Sequence, residues 1–113
     1  MSKIGTLDFT GISGHIYTFN VYPFKNGHLS NKEAVYIVTR RLVKADSHVE
    51  HILSYVGETN DLAKEFASHP KADELEKDQV NSICVYWEDH DDTRAKIKND
   101  LKKRYHPPRN DFE

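Results

Sequence analysis

Apolar and polar residues alternate along two segments near the N-terminus. The segments are KIGTLDFTG at residues 3–11 and GHIYTFNVYPF at residues 14–24. Alternation of this kind is typical of strands that bury one face. In the second segment, Tyr17, Phe19 and Val21 share one face, and the GISG stretch between the segments permits a tight turn. The pattern predicts an N-terminal β-hairpin within residues 1–24.

Three further apolar runs predict a second group of strands. They are AVYIVTRRLV at residues 34–43, HILSYVG at 51–57 and NSICVYWE at 81–88, and all contain β-branched and aromatic residues. The spacing of the first two predicts an antiparallel pair. The polar FKNGHLSNKE at residues 24–33 contains Asn-Gly and is predicted to be a connecting loop.

Helical periodicity begins after the second of these runs. Leu62 and Phe66 lie four residues apart in a helix predicted over residues 61–69, which Thr59 or Asn60 is expected to cap. The charged stretch KADELEKDQ at residues 71–79 predicts a further helical turn or short helix.

The last predicted helix, DHDDTRAKIKNDLKKRY at residues 89–105, is amphipathic. Ile97 and Leu101 are expected to face the core, and Ala95 and Tyr105 are further candidates for that face. Acids lie at the start of this helix and bases at its end, which complements the helix dipole.

Length and composition limit the class of protein. A chain of 113 residues with a net charge of −2 fits one domain, and this charge does not by itself indicate nucleic acid or a membrane. The one cysteine, Cys84, excludes an internal disulfide and is expected in the core. No apolar run approaches the roughly 20 residues of a membrane helix. We expect a soluble, cytoplasmic protein of one domain, residues 1–113.

Two tyrosine-containing tripeptides make the sequence more specific. AVY at residues 34–36 and, nineteen positions after Tyr36, YVG at residues 55–57 resemble the paired signature of the GIY-YIG nuclease family. The second motif continues as in the family with Gly57, Thr59, Asp61, Leu62 and His69. NDLKKRYHPPRN resembles the family's closing segment and aligns Asn110 with the family asparagine. The resemblance covers residues 34–110.

The resemblance implies a fold and a reaction. The family fold is a three-stranded antiparallel sheet flanked by helices, so we expect an α/β (α+β) domain whose core is residues 34–110. The N-terminal hairpin would be an addition that extends the sheet or covers one of its edges. A family nuclease cleaves a phosphodiester with one divalent metal ion held by a glutamate, aided by tyrosine, arginine and asparagine side chains.

Two catalytic positions of the family carry the wrong charge in this chain. The family tyrosines and asparagine match Tyr36, Tyr55 and Asn110, but the arginine position falls on Glu65 and the metal-binding glutamate on Lys98. An ammonium group has no oxygen with which to bind Mg²⁺, and a carboxylate repels a phosphate. The five positions are therefore expected to be vestigial, with no metal and no cofactor. We hypothesise that Glu65 and Lys98 form a charge pair of reversed polarity.

The basic end of the last helix predicts a nucleic-acid contact. Lysine and arginine outnumber aspartate six to one over residues 94–104, which suits a DNA or RNA backbone and is equally compatible with a solvated face. The candidate residues for this contact are Arg94, Lys102, Lys103, Arg104 and Arg109. Two alternatives stay open: an active endonuclease with a rearranged site, which would need Mg²⁺ or Mn²⁺, and a protein-interaction module that uses the hairpin edge.

Overall fold

Five antiparallel strands form one sheet in a computed structural model that describes residues 3–24 and 29–110. The strands are β1 (Gly5–Thr10), β2 (Ile16–Pro23), β3 (Ala34–Val43), β4 (Val49–Thr59) and β5 (Ser82–Trp87), in the spatial order β1-β2-β5-β3-β4. The helices are α1 (Leu62–Ala67), α2 (Ala72–Lys77) and α3 (Asp91–Tyr105), followed by a 3₁₀ turn at Pro108–Asn110. The predicted α+β class is confirmed. Residues 25–28 of the predicted connecting loop lie outside the described residues.

The N-terminal hairpin extends the sheet. Strand β2 pairs antiparallel with β5, with Val21 opposite Cys84, and β1 pairs with the other side of β2. Strand β5 also pairs with β3, which pairs in turn with β4. The hairpin was expected either to extend the sheet or to cover one of its edges, and it extends the sheet. The outer strands of the sheet are therefore β1 and β4.

Strand β3 is buried on both faces, which explains its continuous apolar run. Val35 and Ile37 belong to a cluster that includes Ile97 and Leu101 of α3. Tyr36 and Val38 point to the other face, where they belong to a cluster with Leu62 of α1 and Leu75 of α2. Helix α3 and the α1–α2 pair therefore lie on opposite faces of the sheet. Cys84 is fully buried, as predicted, and burial raises the pKa of its thiol to about 12.

Helix α3 buries Ile97 and Leu101, as its periodicity predicts. Tyr105 is partly buried against the same cluster, but Ala95 is exposed, so its expected place in the core is wrong. Arg94 occupies the buried face instead, because its guanidinium group forms ion pairs with Glu58 and Asp91.

Helix α1 begins one or two residues later than its predicted cap. Asp61 is the N-cap residue, and its carboxylate accepts a hydrogen bond from Lys64 N at 3.1 Å. Thr59 supports this cap, since its hydroxyl oxygen accepts from Asp61 N. Among the described residues, none of the helices is long and apolar enough to cross a membrane.

Asp100 of α3 anchors the turn of the N-terminal hairpin. Its carboxylate accepts hydrogen bonds from Ser13 N at 2.9 Å, from Ser13 Oγ at 2.7 Å and from Tyr17 Oη at 2.8 Å. Gly11 permits this close approach, because a Cβ atom there would lie 1.9 Å from Asp100 Oδ2. The hydrogen bonds from Ser13 and Tyr17 lower the pKa of Asp100, whereas burial and Asp100 raise the pKa of Tyr17 to about 12.

We expect Asp100→Asn to lower the free energy of unfolding by about 1–2 kcal/mol at pH 7, because it removes charge from three hydrogen bonds. The pKa of Asp100 is lower in the folded than in the unfolded protein. Its stabilisation is therefore complete above the unfolded-state pKa of about 3.9 and is lost as the pH falls through the folded-state pKa. Urea unfolding of the wild type and of Asp100→Asn should show a smaller difference in the free energy of unfolding at pH 3 than at pH 7. Asp92→Asn, at an exposed position of the same helix, provides the control. An equal loss of stability in Asp92→Asn would contradict the stabilising role of the Asp100 carboxylate.

Candidate functional site

The two motif tyrosines lie side by side on neighbouring strands. Tyr36 of β3 and Tyr55 of β4 face the α1–α2 side of the sheet, with ring centroids 6.1 Å apart. Tyr36 lies directly opposite Gly57, and a Cβ atom at Gly57 would approach the Tyr36 Cζ and Oη atoms to 2.4 Å. Gly57 is therefore needed within β4 to make room for the end of the tyrosine ring.

Helix α1 and the residues that directly follow it bring two polar side chains to the Tyr36 hydroxyl. Tyr36 Oη lies 2.8 Å from Glu65 Oε2 and 2.8 Å from His69 Nε2. Glu65 lies in α1 and His69 lies two residues after its end, and both side chains contact the same tyrosine. The family resemblance aligned Tyr36, Glu65 and His69 separately, and the structure brings them together.

Hydrogen-bond roles in this cluster follow from its donors and acceptors. An ionised carboxylate only accepts, so Tyr36 donates to Glu65. His69 Nδ1 accepts from the Lys71 backbone N–H at 3.0 Å, and in a neutral imidazole the other nitrogen then carries the proton. His69 Nε2 therefore donates to Tyr36 Oη. We assign the neutral Nε2–H tautomer, and the chain of donation runs from Lys71 through His69 and Tyr36 to Glu65.

Most of this cluster is closed to solvent. Tyr36 is fully buried, and Tyr55 and His69 are each 6% exposed. The Glu65 side chain is 29% exposed, so its carboxylate joins the buried tyrosine to the surface. In this arrangement the Tyr36 hydroxyl stabilises the packing of α1 on the sheet and has no direct access to a substrate.

The three polar atoms have the spacing of metal ligands but the protons of a hydrogen-bond network. Tyr36 Oη, Glu65 Oε2 and His69 Nε2 form a triangle with sides of 2.8, 2.8 and 4.0 Å. The circumradius of that triangle is about 2.0 Å, close to zinc–ligand distances. However, the tautomer places a proton on His69 Nε2, and a protonated ring nitrogen has no lone pair for a metal. The residues present therefore fit hydrogen bonding better than metal binding.

The hypothesised direct ion pair between Glu65 and Lys98 is wrong. Among the described residues, ion pairs within 4.0 Å do not join these two side chains, and the Glu65 carboxylate is bonded to Tyr36. The reason lies in the topology, since Glu65 belongs to α1 and Lys98 to α3, on opposite faces of the sheet.

Asn110 holds the backbone of β4 beside Tyr55. Its side-chain Oδ1 accepts from Val56 N and its Nδ2 donates to Val56 O, both at 2.8 Å. Asn110 is 5% exposed, and the amide matches both hydrogen-bonding groups of one residue. The position aligned with the family asparagine thus fixes the strand segment that carries the second tyrosine.

Two of the five residues predicted to contact nucleic acid form ion pairs within the protein. Arg94 is 2% exposed and donates to Glu58 Oε1 at 2.9 Å. Arg109 donates to both carboxylate oxygens of Asp78, from Nε at 2.9 Å and from Nη2 at 2.6 Å. Both arginines therefore have structural roles. The other three predicted residues lie towards the end of α3, where Lys103 and Arg104 are exposed and Lys102 is partly buried.

The comparisons with known proteins find no family model, no curated protein and no solved structure that matches this chain. The relation to the GIY-YIG nucleases is thus a resemblance of motifs.

Proposed function

We propose that this chain is a GIY-YIG nuclease-like domain that binds nucleic acid and does not hydrolyse it. One observation carries the proposal. Tyr36 and Tyr55 lie together beside the position on α1 that aligns with the family arginine. In this chain that position is Glu65, and its carboxylate accepts a hydrogen bond from the Tyr36 hydroxyl. The motif residues are thus assembled around a hydrogen-bond network in place of a reaction centre.

The order of elements around this cluster supports the resemblance. Strands β4, β3 and β5 are adjacent and antiparallel, two short helices follow β4, and a long helix follows β5. This is the three-stranded sheet with flanking helices that the resemblance implies. The N-terminal hairpin adds two strands beyond β5. The two tyrosines of the cluster lie on β3 and β4, so β5 separates them from the added strands.

The chemistry of the cluster argues against phosphodiester cleavage. Stabilising a phosphoryl transition state requires positive charge from a metal ion or from guanidinium groups. Glu65 supplies negative charge at this point, and Lys98 lies on the other face of the sheet and offers no oxygen ligand. The buried Tyr36 hydroxyl cannot reach a scissile phosphate in this arrangement.

Nucleic-acid binding is assigned to the last turns of α3. Lys102, Lys103 and Arg104 lie in the final turn of the helix, and lysine and arginine contacts to phosphates release counterions from DNA. Because Arg94 and Arg109 form ion pairs within the fold, we expect only a few phosphate contacts and a shallow dependence of affinity on salt.

A single experiment tests binding and cleavage together. We expect fluorescent duplex DNA to bind the protein at low salt and to remain uncut with Mg²⁺ or Mn²⁺. The variant Lys103→Gln/Arg104→Gln, at two exposed positions, should weaken binding and reduce the slope of log affinity against log salt by about 1.8, since each lost contact to B-DNA contributes about 0.9. Fluorescence anisotropy over a salt series measures the slope, and denaturing gels of the same samples measure cleavage.

A matched double variant at exposed lysines elsewhere, Lys44→Gln/Lys64→Gln, controls for loss of net charge and should leave the salt slope unchanged. Metal-dependent nicking that Tyr36→Phe abolishes would overturn the proposal in favour of an active endonuclease. Absence of binding at low salt, to DNA and RNA alike, would favour the protein-interaction alternative, for which β1 offers an outer strand of the sheet.

A further inference from the structure

A cavity of about 630 Å³ lies between α1, α2 and the end of β2. Its volume falls within the range of about 300–1,000 Å³ that is typical of small-molecule sites. The apolar part of its wall comes mainly from Phe24, Phe66, Leu75 and Val80. Leu75 is 2% exposed, and the other three are partly buried.

Two aromatic rings form a corner of the cavity. Phe24 and Phe66 pack edge to face, with centroids 5.4 Å apart and planes at 82°. Phe66 also stacks on His69, with centroids 4.9 Å apart. His69 covers one face of the Phe66 ring, but both phenylalanines still contribute apolar ring surface to the cavity, and such surface packs well against flat apolar groups.

Few polar groups of the wall are available to a ligand. The Asn81 side chain accepts from Arg41 N at 2.7 Å and donates to Arg41 O at 3.1 Å, so its amide is occupied. Both ring nitrogens of His69 serve the hydrogen-bond chain described above. The exposed side chains of Glu76 and Gln79 remain, and Glu76 carries the one formal charge among the described residues that line the cavity.

The conformation of Gln79 places a polar side chain where a helix end favours glycine. Gln79 follows the C-cap residue Asp78 and has a φ of 57°, in the left-handed region. Gln79 lines the cavity together with Glu76, and its backbone N–H donates a hydrogen bond to the Glu76 carbonyl at 3.0 Å. The wall of the cavity therefore combines a carboxylate, a side-chain amide and two aromatic rings.

We propose that this cavity binds a small organic cation with an aromatic body and a protonated amine. The ring would pack in the Phe24–Phe66 corner, and the ammonium would pair with Glu76 and donate a hydrogen bond to the side-chain carbonyl of Gln79. The same carboxylate disfavours anions, so the cavity is not suited to a phosphate group. This inference does not depend on nucleic-acid binding, because α3 lies on the opposite face of the sheet.

The test is a titration of the ¹⁵N-labelled protein followed by NMR. Phenethylamine is the probe, and phenylacetate is a ligand of similar size and opposite charge. We expect phenethylamine to shift amide signals near the cavity, at residues 66–81, and to bind at least tenfold more tightly than phenylacetate. Glu76→Gln should weaken phenethylamine binding at least fivefold, whereas Asp73→Asn, at an exposed position on the same helix that does not line the cavity, should not.

A second variant separates the cavity from other surfaces. Ala72 lines the cavity from an exposed helical position, so Ala72→Leu should fill part of the space without unfolding the protein and should abolish binding. Equal affinity for the two probes would overturn the assignment to cations. Absence of binding, shifts located elsewhere or unchanged affinity in Ala72→Leu would overturn the site itself.

Discussion

Replacement of Arg94 by methionine is expected to lower the free energy of unfolding by about 3 kcal/mol. Methionine retains apolar bulk but leaves Glu58 without its guanidinium partner and the Glu88 carbonyl without a donor. Removing one member of a fully buried ion pair costs about 3–5 kcal/mol. The lower end applies because Glu58 is 33% exposed and water can reach part of its carboxylate. Urea unfolding at pH 7 provides the measurement.

The charge component of this loss can be isolated. Glu58→Gln in the Arg94→Met background removes the carboxylate that lost its partner, so it should recover at least 1 kcal/mol. Arg94→Lys retains a positive charge and should cost less than Arg94→Met, although it cannot reproduce the guanidinium fork. A loss below about 0.5 kcal/mol in Arg94→Met would mean that the buried arginine contributes little to stability.

Gly57→Ala is expected to lower the free energy of unfolding by about 2–3 kcal/mol. The added methyl group would lie 2.4 Å from Tyr36 Cζ and Oη, and the ring cannot move freely because Glu65 and His69 hold its hydroxyl. Overpacking a close-packed core typically costs about 1–3 kcal/mol. Since a shift of the ring would also break its hydrogen bonds, we expect a value near the upper end. Thermal and urea unfolding both measure the change.

A smaller side chain at position 36 distinguishes this clash from a backbone effect. Leucine lacks the Cε1, Cζ and Oη atoms that the added methyl group would meet, so in a Tyr36→Leu background Gly57→Ala should cost less than 1 kcal/mol. Tyr36→Phe removes Oη but retains Cζ, and should rescue little. If the alanine substitution were equally costly in all three backgrounds, the strand conformation at Gly57 would be responsible and the proposed clash with Tyr36 would not.

Local sequence patterns predicted most of the strands, because their information lies in neighbouring residues. The ten residues of β3 match the predicted segment from Ala34 to Val43. Strand β4 is longer than predicted at both ends, since Val49 and Thr59 are held by pairing with Val43 and Ala34. That pairing depends on a partner strand and leaves no signal in the hydropathy of the added residues.

The candidate site was less predictable, because its contacts join distant segments. Glu65 and His69 lie four residues apart, and this spacing was a usable sign that they act on one target. Their shared target, Tyr36, lies about 30 residues away and was found only through the resemblance. The expected partner of Glu65 was wrong because sequence order does not reveal the side of the sheet on which α3 packs. Likewise, the burial of Arg94 depends on Glu58 of a different element.

Asn110 has a consequence for how copies of this chain behave towards one another. Strand β4 is an outer strand, and the backbone groups of such a strand can pair with a neighbouring molecule. The Asn110 amide occupies the N–H and C=O of Val56 as a residue of an added strand would. A chain that ended before this residue would present a longer edge for intermolecular sheet growth. By occupying these two backbone groups, Asn110 shortens the part of the β4 edge that is available for pairing with another molecule.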